Sequence, residues 1–120
     1  MVGSRLQFLL DAIRDPRILE PARECEVRER WLPECQEYAV LAAEMIYRGW
    51  LTEFQTLTIL EGQYRKLFWG SYLLEDVIGE GGMGIVFRGK NWKLGNTVAV
   101  KIARPERACS PKQAARFIRE

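Results

Sequence analysis

The chain has 120 residues, a net charge of +2 and 48% hydrophobic residues. These values are typical of a soluble globular protein with one domain or two small ones, and they exclude a largely disordered chain. The chain has three cysteines, no Cys-x-x-Cys pair and no histidine, which argues against a zinc site or a disulfide framework.

The sequence predicts neither a membrane segment nor an export signal. No apolar run approaches the roughly 18 residues of a spanning helix, and the first ten residues lack a small-residue cleavage site. The basic residues are scattered singly along the chain, which does not favour nucleic-acid binding. We therefore expect a cytoplasmic protein.

Residues 1–66 have the pattern of a small helical bundle. Apolar residues recur at helical spacing from Ser4, and a second helix is predicted from about Pro21 to Arg30. Pro33 suits the first turn of a third helix. A capping box at Thr52–Gln55 predicts the start of a fourth helix.

The core of this bundle is predicted from the same spacing and from its aromatic residues. One face of the third helix is apolar, and three large aromatic side chains lie near the helix ends. The expected core members are Tyr38, Leu41, Ala42, Met45, Ile46, Trp31, Trp50 and Phe54.

After Gly70 the hydrophobic period changes to that of strands. Residues 72–78, 85–88 and 97–103 are rich in β-branched and aromatic residues and are joined by short links, which predicts an antiparallel meander. Ser110 and Pro111 then have the pattern of a helix start, and this helix is expected to continue to the last residue.

Residues 79–84 read GEGGMG, which has the G-x-G-x-x-G spacing of phosphate-binding loops. Because glycine has no Cβ, its backbone N–H groups can approach phosphate oxygens closely. A Walker A loop requires Gly-Lys-Ser/Thr at its end, and this sequence does not supply it. A Rossmann loop opens a helix, whereas residues 85–87 are strand-forming. The remaining arrangement is a glycine-rich loop between two strands.

Lys101 lies in the third predicted strand. Side chains at positions i and i+2 of a strand share a face, so Ala99 and Lys101 point the same way, as do Gly84 and Val86. We expect Val86 and Ala99 to cover a flat base and Lys101 to reach phosphates. A buried lysine requires a partner, and Glu120 in the predicted last helix is the candidate.

Three motifs resemble the start of the catalytic domain in bacterial eukaryotic-like (Hanks-type) serine/threonine protein kinases of the planctomycete type. They are GEGGMGIV at 79–86, VAVK at 98–101 and RFIRE at 116–120. Residues 48–55 also resemble the helical segment that precedes the kinase domain in such proteins. The resemblance implies that Glu120 is the C-helix glutamate that pairs with the strand lysine.

The resemblance implies a set of site residues. Lys101 and Glu120 would be catalytic, and no metal ligand is expected within these residues. The expected ATP-binding residues are Ile78, Gly79, Glu80, Gly81, Gly82, Met83, Gly84, Val86, Ala99 and Lys101.

The predicted fold class is α+β, in two parts. A helical segment at 1–66 precedes a partial kinase N-lobe at 72–120, which consists of a three-stranded antiparallel sheet and the start of the C-helix. The resemblance implies Mg-ATP as cofactor and serine or threonine of a protein as substrate. The family's catalytic loop and Asp-Phe-Gly metal site do not occur in the sequence, so we expect weak ATP binding and no phosphoryl transfer by this chain alone.

A second function stays open at this point. The helical segment is also consistent with a non-catalytic module that docks a protein partner or another copy of the chain.

Overall fold

Helices precede strands along the chain, so the expected α+β class is confirmed. The computed structural model describes residues 4–103 and 116–118. The chain divides into two units between Leu67 and Phe68, and each unit is described separately below.

The first unit contains four α-helices, a π-helix and a short 3-10 helix. The capping box is confirmed, because the Gln55 amide donates to the Thr52 hydroxyl oxygen and the Thr52 amide donates to the Gln55 side chain. The elements are α1 (Ser4–Ile13), α2 (Pro21–Glu26), the π-helix (Val27–Trp31), α3 (Tyr38–Tyr47), α4 (Glu53–Leu60) and the 3-10 helix (Tyr64–Leu67).

The second and third predicted helices have different bounds in the structure. The segment from Pro21 is α-helical only to Glu26, and the π-helix continues it. The third helix begins at Tyr38, so the expectation of a start at Pro33 is wrong. Pro33 lies in a turn, and the amides of the next two residues both donate to the Trp31 carbonyl. These two hydrogen bonds form a turn after the π-helix, and α3 begins only after this turn.

The buried apolar side chains of this unit come from α1, the π-helix, α3, α4, the 3-10 helix and the links between these helices. Five of the expected core members are only half-buried, so their placement in the core is wrong: Trp31, Tyr38, Ile46, Trp50 and Phe54. The two tryptophan rings stack on each other with centroids 5.1 Å apart. The Arg48 guanidinium lies 4.8 Å from the centroid of the Trp31 ring. The largest fully buried side chains include Leu9, Ile13, Val27, Met45 and Ile59.

The second unit is an antiparallel sheet with strands in chain order, β1 to β5. The three long strands were predicted, but the predicted count of three is wrong because a short strand pairs at each edge. An open strand edge carries unpaired N–H and C=O groups, and the two short strands satisfy part of them. The strands are β1 (Phe68–Trp69), β2 (Tyr72–Gly81), β3 (Gly84–Asn91), β4 (Thr97–Ala103) and β5 (Arg116–Ile118).

Residues Arg116–Ile118 form strand β5, so the prediction of a C-helix over these residues is wrong. Arg116–Ile118 pairs with β4, with Val100 opposite Phe117. Aromatic and β-branched residues such as Phe117 and Ile118 fit a pleated strand, and the free edge of β4 supplies the partner. The predicted start of this helix at Ser110 and its last residue, Glu120, lie outside the described residues.

Buried and less buried side chains alternate over residues 97–101 of β4. Val98 and Val100 are buried in β4, and Phe87 is buried in β3 opposite Val100. Within the described segments, no helix combines the length and the apolar character needed to cross a membrane.

Candidate functional site

The glycine-rich segment forms the tip of the β2–β3 hairpin. Gly81 pairs with Gly84, and Gly82 and Met83 form the turn between them. The Met83 side chain is 67% exposed. The glycines therefore join two strands and do not open a helix.

The sheet register brings the hairpin and the lysine into one row. Gly79 lies opposite Val86, and Val86 lies opposite Lys101. Residues directly opposite each other in an antiparallel sheet share a face, so all three lie on the same face. Neighbouring strands are about 4.8 Å apart, which places the Cα of Lys101 about 10 Å from that of Gly79.

Ala99 lies on the same face as Lys101, whereas Glu80 does not. Ala99 is opposite Arg88, two residues along β3 from Val86. Glu80 is opposite Ile85, so it belongs to the other face, and the register does not bring its side chain to Lys101.

Ile78 lies at an irregularity that sequence reasoning did not predict. The β2–β3 register shifts between Val77 and Gly79, so Ile78 is the extra residue of a bulge and its side chain is 55% exposed. Bulges bend a strand and re-aim its side chains. The bulge thus determines where Ile78 and the following hairpin tip lie relative to the rest of β2.

Gly84 is a glycine that the fold itself requires. Its φ is +150°, which side chains rarely adopt. A Cβ at this position would collide with the Ile102 carbonyl oxygen and would lie 2.9 Å from the Ala103 Cα. The close approach of β3 to β4 therefore accounts for Gly84 without any ligand.

The other three glycines of the loop have no such structural cause. Their φ angles are not positive. A Cβ on Gly79 would make an ordinary contact of 3.8 Å with Val86, and one on Gly81 or Gly82 would meet no atom within 4 Å in the described part of the chain. The fold would therefore accept a side chain at each of the three positions. Packing does not explain why all three are glycine.

Among the described residues, no acidic side chain on this face pairs with Lys101. Arg88 projects from the same face, but its Nε lies 3.2 Å from a carboxylate oxygen of Glu75. Lys101 is half-buried and forms no ion pair within residues 4–103. Its predicted partner, Glu120, lies outside the described residues, so that pairing stays a prediction.

The structure also contains a pocket that the sequence did not indicate. It has a volume of about 270 Å³ and lies in the helical unit, lined by Arg5, Tyr38, Leu57, Leu60 and Glu61. An Arg5 guanidinium nitrogen donates to the Tyr38 hydroxyl at 3.0 Å. The sequence placed Tyr38 on the core face of the third helix and gave no signal that these two side chains meet.

A scan against protein-family models finds no match, and searches of curated proteins and of solved structures find no similar chain. A function for this chain therefore has to follow from its residues and from their geometry.

Proposed function

We propose that this chain is the nucleotide-binding part of a serine/threonine protein kinase. The observation that carries the proposal is the row formed by Gly79, Val86 and Lys101 on one face of the sheet. This row sets a lysine on the same face as a strand–turn–strand tip in which Gly79, Gly81 and Gly82 are not explained by packing. The kinase-like spacing of the three sequence motifs supports the same assignment.

Each residue then has a role that follows from its chemistry. Backbone N–H groups of the hairpin tip donate to phosphate oxygens, which approach closely because residues 81 and 82 carry no side chain. Lys101 offers a point charge to the same phosphates. Val86 and Ala99, on the same face, provide an apolar surface for the base.

Mg²⁺ would enter this site with the nucleotide, neutralising the charge of its phosphates. Within residues 4–103, no group of three or more acidic, cysteine or histidine side chains could hold a metal ion alone. Transfer of the phosphoryl group to a protein hydroxyl belongs to the proposal only for a chain that also carries a catalytic loop and an Asp-Phe-Gly motif. The cytoplasmic location and the protein substrate are proposed on the same basis.

Binding of Mg-ATP to the 120-residue chain tests the proposal. A charge-assisted hydrogen bond contributes about 1.5–3 kcal/mol, so Lys101→Met should weaken binding by about 10- to 100-fold. Lys90→Met is the matched control, because Lys90 is an exposed lysine on the same face of β3, four residues from Val86 and so about 13 Å further along the strand.

Isothermal titration calorimetry with Mg-ATP, and with Mg-AMP for comparison, measures these affinities. We expect the triphosphate to bind better than the monophosphate and only Lys101→Met to remove the difference. Equal losses in the two lysine variants, or no detectable binding of Mg-ATP by the unaltered chain at millimolar concentration, would contradict the proposal.

The second candidate function, a protein-interaction module, is favoured by one observation in the helical unit. The outer face of α3 is apolar and exposed, with Tyr47 at 86% and Val40 at 55%. This function and nucleotide binding use different units of the chain and are compatible.

A further inference from the structure

Helix α3 is apolar on two faces. Its ten residues, YAVLAAEMIY, include a single charged side chain, Glu44. One face is buried through Leu41, Ala42 and Met45. A second set of apolar residues in the same helix is exposed, and we call these four the α3 stripe: Ala39, Val40, Ala43 and Tyr47.

The α3 stripe forms one continuous strip on the helix surface. Residues 39, 43 and 47 follow each other at four-residue spacing, and Val40 lies beside them, so all four fall within an arc of about 100°. A helix that is apolar on nearly all sides is usually buried, and a contiguous exposed apolar patch usually marks an interaction site. The small side chains of Ala39 and Ala43 allow a second helix to approach closely.

We propose that the α3 stripe is a self-association surface whose partner is the α3 stripe of a second copy of this chain. The two copies of α3 would lie antiparallel about a twofold axis near Ala43. A twofold interface uses the same patch on both copies and therefore must be complementary to itself. In this arrangement Tyr47 of each copy packs against Ala39 and Val40 of the other.

The charges at the two ends of α3 are complementary in this orientation. Glu37 precedes the helix, is exposed and has no ion pair within residues 4–103. Arg48 follows the helix, and its side chain is 40% exposed although it already pairs with Glu44 and Glu26. An antiparallel pair sets Glu37 across from Arg48 of the other copy, and the symmetry repeats this contact. A parallel pair would instead set Glu37 opposite Glu37.

The charge nearest the axis is already compensated within each copy. Glu44 accepts a 2.8 Å hydrogen bond from the Arg48 guanidinium. This ion pair reduces the electrostatic repulsion between the two Glu44 carboxylates of the dimer. The stripe is smaller than the roughly 20–30 residues per partner of a standard interface. The association should therefore be weak and should depend on protein concentration.

Sedimentation velocity of the full chain over a range from micromolar to millimolar concentration tests the proposal. We expect the weight-average sedimentation coefficient to rise with concentration. Tyr47→Asp should weaken the dimer at least about tenfold, because it buries a charge in an apolar interface. Leu94→Asp is the control, since Leu94 is 80% exposed but lies in the β3–β4 link. Circular dichroism confirms that both variants are folded.

A chain that stays monomeric at millimolar concentration overturns the proposal, and so does a dimer that tolerates Tyr47→Asp. The proposed contact between Glu37 and Arg48 has a separate control. Glu37→Lys should weaken the dimer, whereas Glu34→Lys, the same charge change four residues before α3, should not. Equal effects of the two lysine substitutions contradict the antiparallel arrangement.

Disulfide crosslinking tests the position of the axis. A residue on a twofold axis meets its own copy, so Ala43→Cys should crosslink readily in a background where Cys25, Cys35 and Cys109 are serine. Each bond joins two thiols, which lose two protons and two electrons to dissolved oxygen with a copper catalyst. Ala22→Cys is the matched control because Ala22 is an exposed alanine of α2. Equal crosslinking of the two variants, or none at position 43, contradicts the proposal. These readouts do not involve nucleotide, so their outcome is independent of the proposed kinase function.

Discussion

Replacing Gly84 with alanine should destabilise the β-sheet unit. The added Cβ would have to occupy space already held by the Ile102 carbonyl oxygen, and the residue would have to keep a φ of +150°. Rotation of a side chain cannot relieve this clash, because the opposing atoms belong to the backbone of β4. Either β3 must move away from β4 or the turn must change its conformation.

Backbone strain and the steric clash together determine how much stability the Gly84→Ala variant loses. A residue held in a sparsely populated backbone region costs about 1–3 kcal/mol, and overpacking a well-filled position costs about 1–3 kcal/mol more. We therefore expect Gly84→Ala to reduce the free energy of opening the β3–β4 pair by at least about 2 kcal/mol, which corresponds to an approximately 30-fold loss of amide protection.

Hydrogen exchange of the β3 and β4 amides, followed by NMR, measures this quantity for the sheet alone. Gly82→Ala is the matched control: it adds the same methyl group at the same hairpin tip, where no described atom lies within 4 Å and φ is not positive. That variant should stay within about 1 kcal/mol of the original chain. Similar losses of protection in both variants would refute the assignment of a structural role to Gly84 and not to Gly82.

Two further predictions concern the helical unit. Thr52→Ala should cost about 1 kcal/mol and speed amide exchange at Gln55, because the hydroxyl that accepts from this amide is lost; Thr52→Ser should preserve the protection. Hydrogen bonds from the Arg17 guanidinium hold the pKa of Asp15 below its usual value. The ionised carboxylate therefore stabilises the folded state fully above the unfolded-state pKa of about 3.9. This contribution is lost as the pH falls through the lower pKa of the folded state. Asp15→Asn should therefore destabilise the chain at pH 7 in urea unfolding, and the difference should shrink in acid; a difference that does not depend on pH would contradict the ion pair.

The three long strands could be predicted from the sequence because each contains β-branched residues and is bounded by turn residues. Strand β4 has the predicted bounds, Thr97–Ala103, since its apolar run ends at turn residues on one side. Parity along β4 also gave the shared face of Ala99 and Lys101. The alternation of side chains could not predict the register of the hairpin. The two bulges in β2 and the two-residue turn at Gly82 determine which residues of β2 and β3 lie opposite each other.

Other features depend on contacts that no local pattern encodes. The π-helix at Val27–Trp31 has ordinary helix-forming residues, and its Trp31 ring is positioned by stacking on Trp50, 19 residues later in the chain. The short strand at Arg116–Ile118 was predicted as helix from its position after Ser110. Its strand conformation depends on the free edge of β4, which becomes available only when the sheet has formed.

The core face of α3 was predicted in part, because Tyr38 and Ile46 of the predicted face are only half-buried, and its exposed apolar face was not recognised. Helical spacing identified Leu41, Ala42 and Met45, which are buried. The same sequence places Val40 and Tyr47 outside that face, and their exposure was evident only when the positions of the neighbouring helices were known.

The central claim is that the hairpin tip at 79–84 and Lys101 bind the phosphates of a nucleotide together. Titration of the ¹⁵N-labelled 120-residue chain with Mg-ATP, followed by two-dimensional NMR, tests it most directly. We predict saturable shifts concentrated at the amides of Gly79, Gly81, Gly82 and Lys101, and their loss in Lys101→Met but not in Lys90→Met. Shifts confined to the helical unit, or spread evenly over exposed basic residues, would contradict the claim.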